Sequence, residues 1–336
     1  MTLPAPSPTD PFAGSSYRAV RKIGSGGAGT VYEAVHVALG KHVAIKLVNQ
    51  VPDAPMAFER MRVEAQALAQ LRSPHLVEAT DFGETADGRP FYVMELLHGS
   101  NLADERRRRG AWPERDAVEL VQQLLRGLAV AHRAGIVHRD IKLSNLFLCT
   151  AVGGSPLLKI LDFGIAKVLP SASSVEPPAM RTGEGTILGT PRFIPPEQVM
   201  GREIDARADL YGVGAVLYEL LTGRDPFHDV EGTAQLLQAA VSLDPPLPSR
   251  VAERPIEPAL EDVVMRALSK RPEDRYANAE DLSDALTHAM DLAAEVEAQR
   301  AVRPRSKGAS LLVAWMLVIA SAVLSAALAL WFAHTR

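Results

Sequence analysis

From residue 17 to about 49, apolar residues alternate with polar ones in short runs, as in Thr30-Val31-Tyr32-Glu33-Ala34-Val35 and His42-Val43-Ala44-Ile45-Lys46-Leu47. A period of two sends alternate side chains to opposite faces, so this stretch predicts an antiparallel sheet. Further strands are expected around residues 76–82 and 91–96, completing a small lobe. Between them, Met61, Glu64, Leu68 and Leu71 are spaced i, i+3, i+7 and i+10, which is one face of a helix. Glu64 is then a carboxylate on an otherwise apolar, inward stripe. Left unpaired there, it would cost roughly several kcal/mol or take up a proton.

Beyond residue 101 the pattern turns helical, with long segments over residues 115–134 and 206–222 and an irregular, polar stretch between them. Residues 171–185 are rich in Ser, Pro, Gly and Glu without periodicity and predict a mobile loop. Helical spacing resumes from 257 to about 296. The last change comes at 309–333, which contains no charged residue. As a helix it would reach about 37 Å, against a hydrocarbon core of about 30 Å. A soluble helix of that length would show a polar face. Trp315 and Trp331 lie toward its two ends, where interfacial indoles are favoured. The expectation is one transmembrane helix in the lipid bilayer.

Arg300, Arg303, Arg305 and Lys307 precede that stretch, while His334, Thr335 and Arg336 follow it as a short outside tail. The positive-inside bias places everything before the span in the cytoplasm and makes the chain a single-pass protein of the cell membrane. Residues 291–308 read as a basic juxtamembrane linker. Met1 to Ser16 carries Pro4, Pro6, Pro8 and Pro11 in place of a basic start and an apolar run. It therefore predicts a disordered leader of residues 1–16 and not a signal peptide.

Composition narrows the class without naming an activity. With 47% hydrophobic and 23% charged residues, the chain of 336 residues can bury one large two-lobed domain or two ordinary ones. A formal net charge of −4 gives no overall pull toward nucleic acid, so none is expected as a partner. The single cysteine, Cys149, admits no internal disulfide and no Cys-rich zinc site, and reads as a buried strand residue. The run of arginines at 106–109 reads as a solvated helix end.

Candidate chemistry begins with Gly24-Ser25-Gly26-Gly27-Ala28-Gly29, a G-x-G-x-x-G spacing that lets backbone amides approach phosphates. A dinucleotide fold would follow those glycines with a helix and an acidic residue about 20 positions on. Here an alternating strand follows, and Lys46 arrives on the next one. That order points to a glycine-rich hairpin covering a nucleotide, with a lysine reaching its phosphates.

With Val43-Ala44-Ile45-Lys46, His138-Arg139-Asp140, Asn145, Asp162-Phe163-Gly164 and Pro195-Pro196-Glu197 in that order, the chain resembles the eukaryotic-type serine/threonine protein kinases over about residues 17–286. The arrangement of domain and span is similar to that of bacterial transmembrane members. The resemblance implies an α+β bilobal kinase domain over 17–290. Its small lobe, about 17–96, would hold five strands and the helix of Glu64, and its large lobe, about 97–290, would be mostly helical.

Transfer of the ATP γ-phosphate to Ser/Thr hydroxyls of proteins, with Mg2+, is the implied activity. Lys46 would hold the α- and β-phosphates while Glu64 fixes its ammonium. Asp162 and Asn145 would be the metal ligands, Asp140 would accept the substrate proton, and Lys142 would steady the transferring phosphate. Ile23, Gly24, Gly26, Gly29, Val31 and Ala44 fall among the implied nucleotide-binding positions. Glu95 and Leu97, after the gatekeeper-like Met94, would meet adenine through their backbones, leaving their side chains free.

A buried Glu197–Arg275 pair and an Asp209 brace of the catalytic loop are implied as structural. Phosphorylation at Thr182 or Thr186, facing Arg139, would switch activity, with homodimers serving phosphorylation in trans; Thr190 would dock against the catalytic loop. Leu143, Pro195, Gly212 and Ala28 depart from the family pattern without removing a catalytic group. The rivals are a pseudokinase scaffold, opposed by intact Lys46, Asp140, Asn145 and Asp162, and a small-molecule phosphotransferase.

Overall fold

The computed structural model describes residues 10–26, 29–48, 62, 66, 69–150, 156–162, 191–302 and 309–334. The chain divides into two units, Met1–Met290 and Asp291–Arg336. In the first, strands β1 (Tyr17–Gly26), β2 (Gly29–His36), β3 (His42–Val48), β4 (Ala79–Glu84) and β5 (Pro90–Glu95) form an antiparallel sheet in the order β1-β2-β3-β5-β4. The predicted five-stranded small lobe is present. Alternation sorts its side chains: Ala44 and Val48 of β3 and Tyr92 and Met94 of β5 face the main core, while Val43, Ile45, Leu47, Phe91 and Val93 face an outer cluster.

That outer cluster includes a residue of the expected leader. Phe12 is fully buried and meets Tyr32 and Phe91 edge-on, with centroids 5.5 and 5.3 Å away. Oδ1 of Asp10 accepts hydrogen bonds from the backbone N–H groups of Phe12 and Ala19 and pins the segment to β1. Residues 10–16 of the expected leader thus pack on the small-lobe sheet; one aromatic among prolines was too sparse a pattern to show this.

The large lobe opens with β6 (Gly99–Asn101), α1 (Leu102–Arg109) and α2 (Glu114–Arg133). After the catalytic stretch come β7 (Leu146–Thr150) and β8 (Pro156–Ile160), then α3 (Pro196–Val199), α4 (Arg207–Thr222), α5 (Thr233–Ser242), α6 (Pro248–Val251), α7 (Pro258–Ala267) and α8 (Ala279–Val302). The helices expected at 115–134 and 206–222 are α2 and α4. The span expected from 257 to 296 is broken between α7 and α8 at Pro272, where Arg275 turns inward. Leu124, Leu128, Leu210, Leu217 and Leu260 are fully or almost fully buried where α2, α4 and α7 pack. The lobes meet where Ile160 donates its N–H to the His75 carbonyl at 2.9 Å and accepts from Val77 N–H at 3.1 Å.

The arginine run is not an open basic surface. Arg106 pairs with buried Glu219, Arg107 with Asp104, and Arg108 and Arg109 with Glu105 at 2.6 and 2.8 Å. Cys149 lies on β7 as expected, half-buried, and burial raises its thiol above the usual range. In the second unit, the backbone of α9 runs Ala309–His334. Its side chains are described continuously only over 316–328, about 20 Å of helix. Among the described residues no helix is long and apolar enough to cross a membrane.

Candidate active site

Strand register places the small-lobe wall of the cleft. Gly26 pairs with Gly29 and Gly24 with Val31 across the β1–β2 hairpin, while Val31 faces Lys46 and Ala44 faces Met94 across the next two ladders. The hairpin lies over β3 closely: a Cβ at Gly29 would collide with the Leu47 carbonyl. Ile23 is 39% exposed, whereas Ala44 and Met94 are buried. The wall is thus an apolar slot under a glycine hairpin.

Lys46 is 9% exposed, and its Nζ sits 2.7 Å from Oδ1 of Asp162. Glu64, its expected partner, lies outside the described residues. Tyr92, directly opposite Lys46 on β5, donates its hydroxyl to the same Oδ1 at 2.7 Å. Burial alone would raise the Asp162 pKa, but the Lys46 charge and the hydrogen bonds from Lys46 and Tyr92 outweigh it and hold the carboxyl below its ordinary value. Tyr92 was not singled out from sequence, although sharing strand parity with Met94 marks it as inward.

The opposite wall is an irregular loop held by side chains. Asp209, at the start of α4, accepts the backbone N–H groups of His138 and Arg139 at 2.8 Å each. His132, in the last turn of α2, reaches the same carboxylate at 2.8 Å. This confirms Asp209 as the brace and adds His132, which no sequence signal had marked. His138 is fully buried; its Nε2 donates to the Leu161 carbonyl at 2.8 Å and its Nδ1 accepts from Asp140 N–H at 3.2 Å, so the ring is neutral in one tautomer. Burial drives its pKa below 6.5 against the pull of Asp209, the Leu161 carbonyl, Asp140 and Asp162. Arg139 adopts a left-handed backbone, φ 63°, and its buried Nε has no partner among the described residues.

Asn145 closes the constellation. Its Nδ2 donates to the Asp140 carbonyl at 2.8 Å and to Asp140 Oδ2 at 3.0 Å, and Lys142 Nζ lies 2.9 Å from the same Oδ2. With its amide nitrogen committed, Asn145 is left with its side-chain oxygen as the available donor atom. An ionised Asp162 and that amide oxygen form a hard oxygen set suited to magnesium arriving with phosphates. Among the described residues there is no cluster of three or more His, Cys, Asp or Glu side chains to hold a resident metal.

Glu95 is less free than expected. Its Oε1 accepts from Lys159 Nζ at 2.7 Å and Glu78 N–H at 2.9 Å, tying the end of β5 to β8. Leu97, two residues on, is half-buried. The structural pair stands as predicted: Arg275 meets Glu197 through two 2.7 Å bonds. Gly212 has a physical reason, since a Cβ there would lie 2.8 Å from Ile141 Cβ in the catalytic loop. Thr182, Thr186, Thr190, Phe163, Gly164 and Ala28 lie outside the described residues.

Comparison with known proteins agrees with this geometry. The model of the protein kinase domain matches residues 17–289. The serine/threonine-protein kinase Pkn1 of Myxococcus xanthus is 40% identical over 87% of this chain and 41% of its own length. PknL of Mycobacterium tuberculosis is 38% identical over 79% of this chain and 63% of its own. This chain therefore spans less than two thirds of either relative. Among solved structures, the PknI kinase domain of Mycobacterium tuberculosis superposes with a TM-score of 0.63 at 26% identity, over 83% of this chain and 97% of that one.

Proposed function

The chain belongs to the protein kinase domain family, and from that premise we propose that it transfers the γ-phosphate of ATP to serine and threonine hydroxyls of proteins. The observation that carries this reading is two sets of contacts, Lys46 with Asp162 at 2.7 Å and Asp140 with Asn145 and Lys142 at 3.0 and 2.9 Å, joined where Leu161 N–H, beside Asp162, donates to the Asn145 carbonyl at 2.8 Å. Lys46 would hold the α- and β-phosphates, and Asp162 with Asn145 would hold magnesium, whose charge would offset that of the phosphates. Asp140 orients the hydroxyl and takes its proton as the new oxygen–phosphorus bond forms and the bond to the β–γ bridging oxygen breaks. Lys142 offers its charge to the transferring group. Radiolabelled transfer to a generic protein substrate by the parent, and its loss in Asp140→Asn, is the expected result; equal rates would overturn the assignment.

Two finer readings complete the proposal. Arg139, with its unpartnered buried Nε, suits a phosphate on the 163–190 segment, at Thr182 or Thr186, added in trans between copies of the chain. Phosphosite mapping after incubation with ATP, with the Thr182→Ala/Thr186→Ala double mutant as control, tests it: a double mutant as active as the parent would end that reading. Residues 309–333 anchor the chain in the cell membrane with the kinase domain cytoplasmic, a reading supported by their uncharged sequence and the basic residues before them. Membrane fractions that keep the protein through a high-salt wash support it, and release by salt contradicts it.

A further inference from the structure

Tyr92 is a buried polar group of the cleft that the proposed chemistry leaves without a task. It is 6% exposed, opposite Lys46 across the β3–β5 ladder, with its ring centroid 6.0 Å from Lys46 Nζ. The next residue on the same face of β5 is Met94, which is apolar. A hydroxyl at this depth needs a partner. It finds one in Oδ1 of Asp162 at 2.7 Å, the atom that Lys46 also reaches at 2.7 Å. Facing a carboxylate oxygen, the phenol hydroxyl donates and does not accept.

The consequence lies in how a short carboxylate is aimed. Asp162 sits at φ 48°, a left-handed backbone that leads straight into the 163–190 segment, and its terminal torsion is broad and weakly staggered. Two donors on one oxygen remove that freedom. Among the described residues Oδ2 has no hydrogen-bond partner. We propose that Tyr92 is a positioning residue for the divalent cation: with Lys46 it immobilises Oδ1 of Asp162 and thereby presents Oδ2 to the metal that accompanies the nucleotide. This rests on Asp162 being a metal ligand, as in the proposed function. The opposing arrangement is a latch, in which the tyrosine competes with the metal for the carboxylate.

The experiment compares Tyr92→Phe and Tyr92→Leu in the full chain, with Asp162→Asn as reference. Mn2+ affinity is read by electron paramagnetic resonance in the presence of a saturating non-hydrolysable ATP analogue. Affinity for the analogue alone is read in excess chelator. Loss of the hydroxyl is expected to weaken Mn2+ about tenfold in both tyrosine variants, the scale of lost support behind a metal ligand. Analogue binding without metal should stay within about twofold of the parent, since Tyr92 touches the metal ligand and not the phosphates.

Unchanged Mn2+ affinity in Tyr92→Phe, with loss only in Tyr92→Leu, would reduce the ring to packing and overturn the proposal. Tighter Mn2+ binding in Tyr92→Phe would overturn it in favour of the latch. If Asp162→Asn binds Mn2+ like the parent, the ligand assignment itself fails and this inference falls with it. If only Asp162→Asn loses the metal, Asp162 stands and Tyr92 alone is misassigned.

Discussion

On the small-lobe wall Lys46 is placed by ladders that also build the sheet, with Val31 on one side and Tyr92 on the other. On the facing wall Asp140 stands in a loop with no ladder. It is fixed by Asn145, five residues on, and preceded by Arg139, whose N–H donates to Asp209 across 70 residues of sequence. The first wall distributes its placement over many equivalent backbone bonds; the second concentrates it in a few buried side chains. A wall of the first kind tolerates loss of its functional side chain without losing shape. A wall of the second kind loses shape when one anchor goes, because each anchor satisfies backbone groups of a loop that no ladder pairs.

The strongest test of that difference is a pair of substitutions at the catalytic contacts. Lys46→Met removes the proposed phosphate contact, and Asp162→Asn the carboxylate proposed to hold the metal. Each is expected to lower turnover by about 10³-fold, the upper range for deleting one preorganised electrostatic group. Melting temperature should stay near the parent's for Lys46→Met, since the β3 ladders remain. A Lys46→Met protein that is both inactive and unfolded would break the comparison.

Next in size is the brace. Asp209→Asn keeps one acceptor oxygen for two backbone donors and turns an amide N–H toward the other. The expected loss is about 2–4 kcal/mol of stability, measured by urea denaturation, together with a fall in kcat larger than the rise in KM for ATP. An Asp209→Asn protein as stable as the parent would show that the loop is held by packing, through Ile141 against Gly212, and not by its polar anchors.

The same contrast explains what the sequence disclosed. The five strands follow from alternation because both faces of β3 and β5 are buried against distinct clusters, and a slip of one residue would exchange them. The catalytic loop has no periodicity, so Asp140, Asn145 and Asp209 were found only through ordered family motifs. Their bonds to the loop backbone span 5 to 71 residues and no local pattern encodes them. Phe12 was missed because proline spacing dominated its surroundings. The freedom expected of the Glu95 side chain failed because Lys159, 64 residues away, comes beside it only when β8 meets the end of β5. Glu64 and the threonines after Asp162 fall outside the described residues.

A third substitution tests the ladder side directly. Gly29→Ala places a methyl against the Leu47 carbonyl, a backbone atom that cannot swing away. Overpacking of this kind costs about 1–3 kcal/mol. The hairpin can relieve it by lifting from β3, so KM for ATP should rise more than kcat falls. A stable Gly29→Ala protein with an unchanged KM would mean that the hairpin is not held to β3 at this contact.

The smallest expected effect is a pH dependence that belongs to the loop wall. His138 is fully buried among Asp209, Asp140, Asp162 and the Leu161 carbonyl, all of which favour its protonated form; burial still wins and depresses its pKa below 6.5. In the window below about pH 6.5 the unfolded chain therefore binds a proton at this ring that the folded chain refuses. The stabilisation is complete above that value and is lost as pH falls toward the folded pKa. Asp162, depressed from 3.8, acts by the same logic only at lower pH, so the small-lobe contact is silent in this window. His75, also depressed by burial, contributes in the same direction. Urea midpoints between pH 7.5 and 5.5 should decline less steeply in His138→Gln and in His75→Gln than in the parent, and least in the double variant. A parent and a His138→Gln protein with superimposable slopes would remove the buried neutral imidazole from the account of how the loop is held.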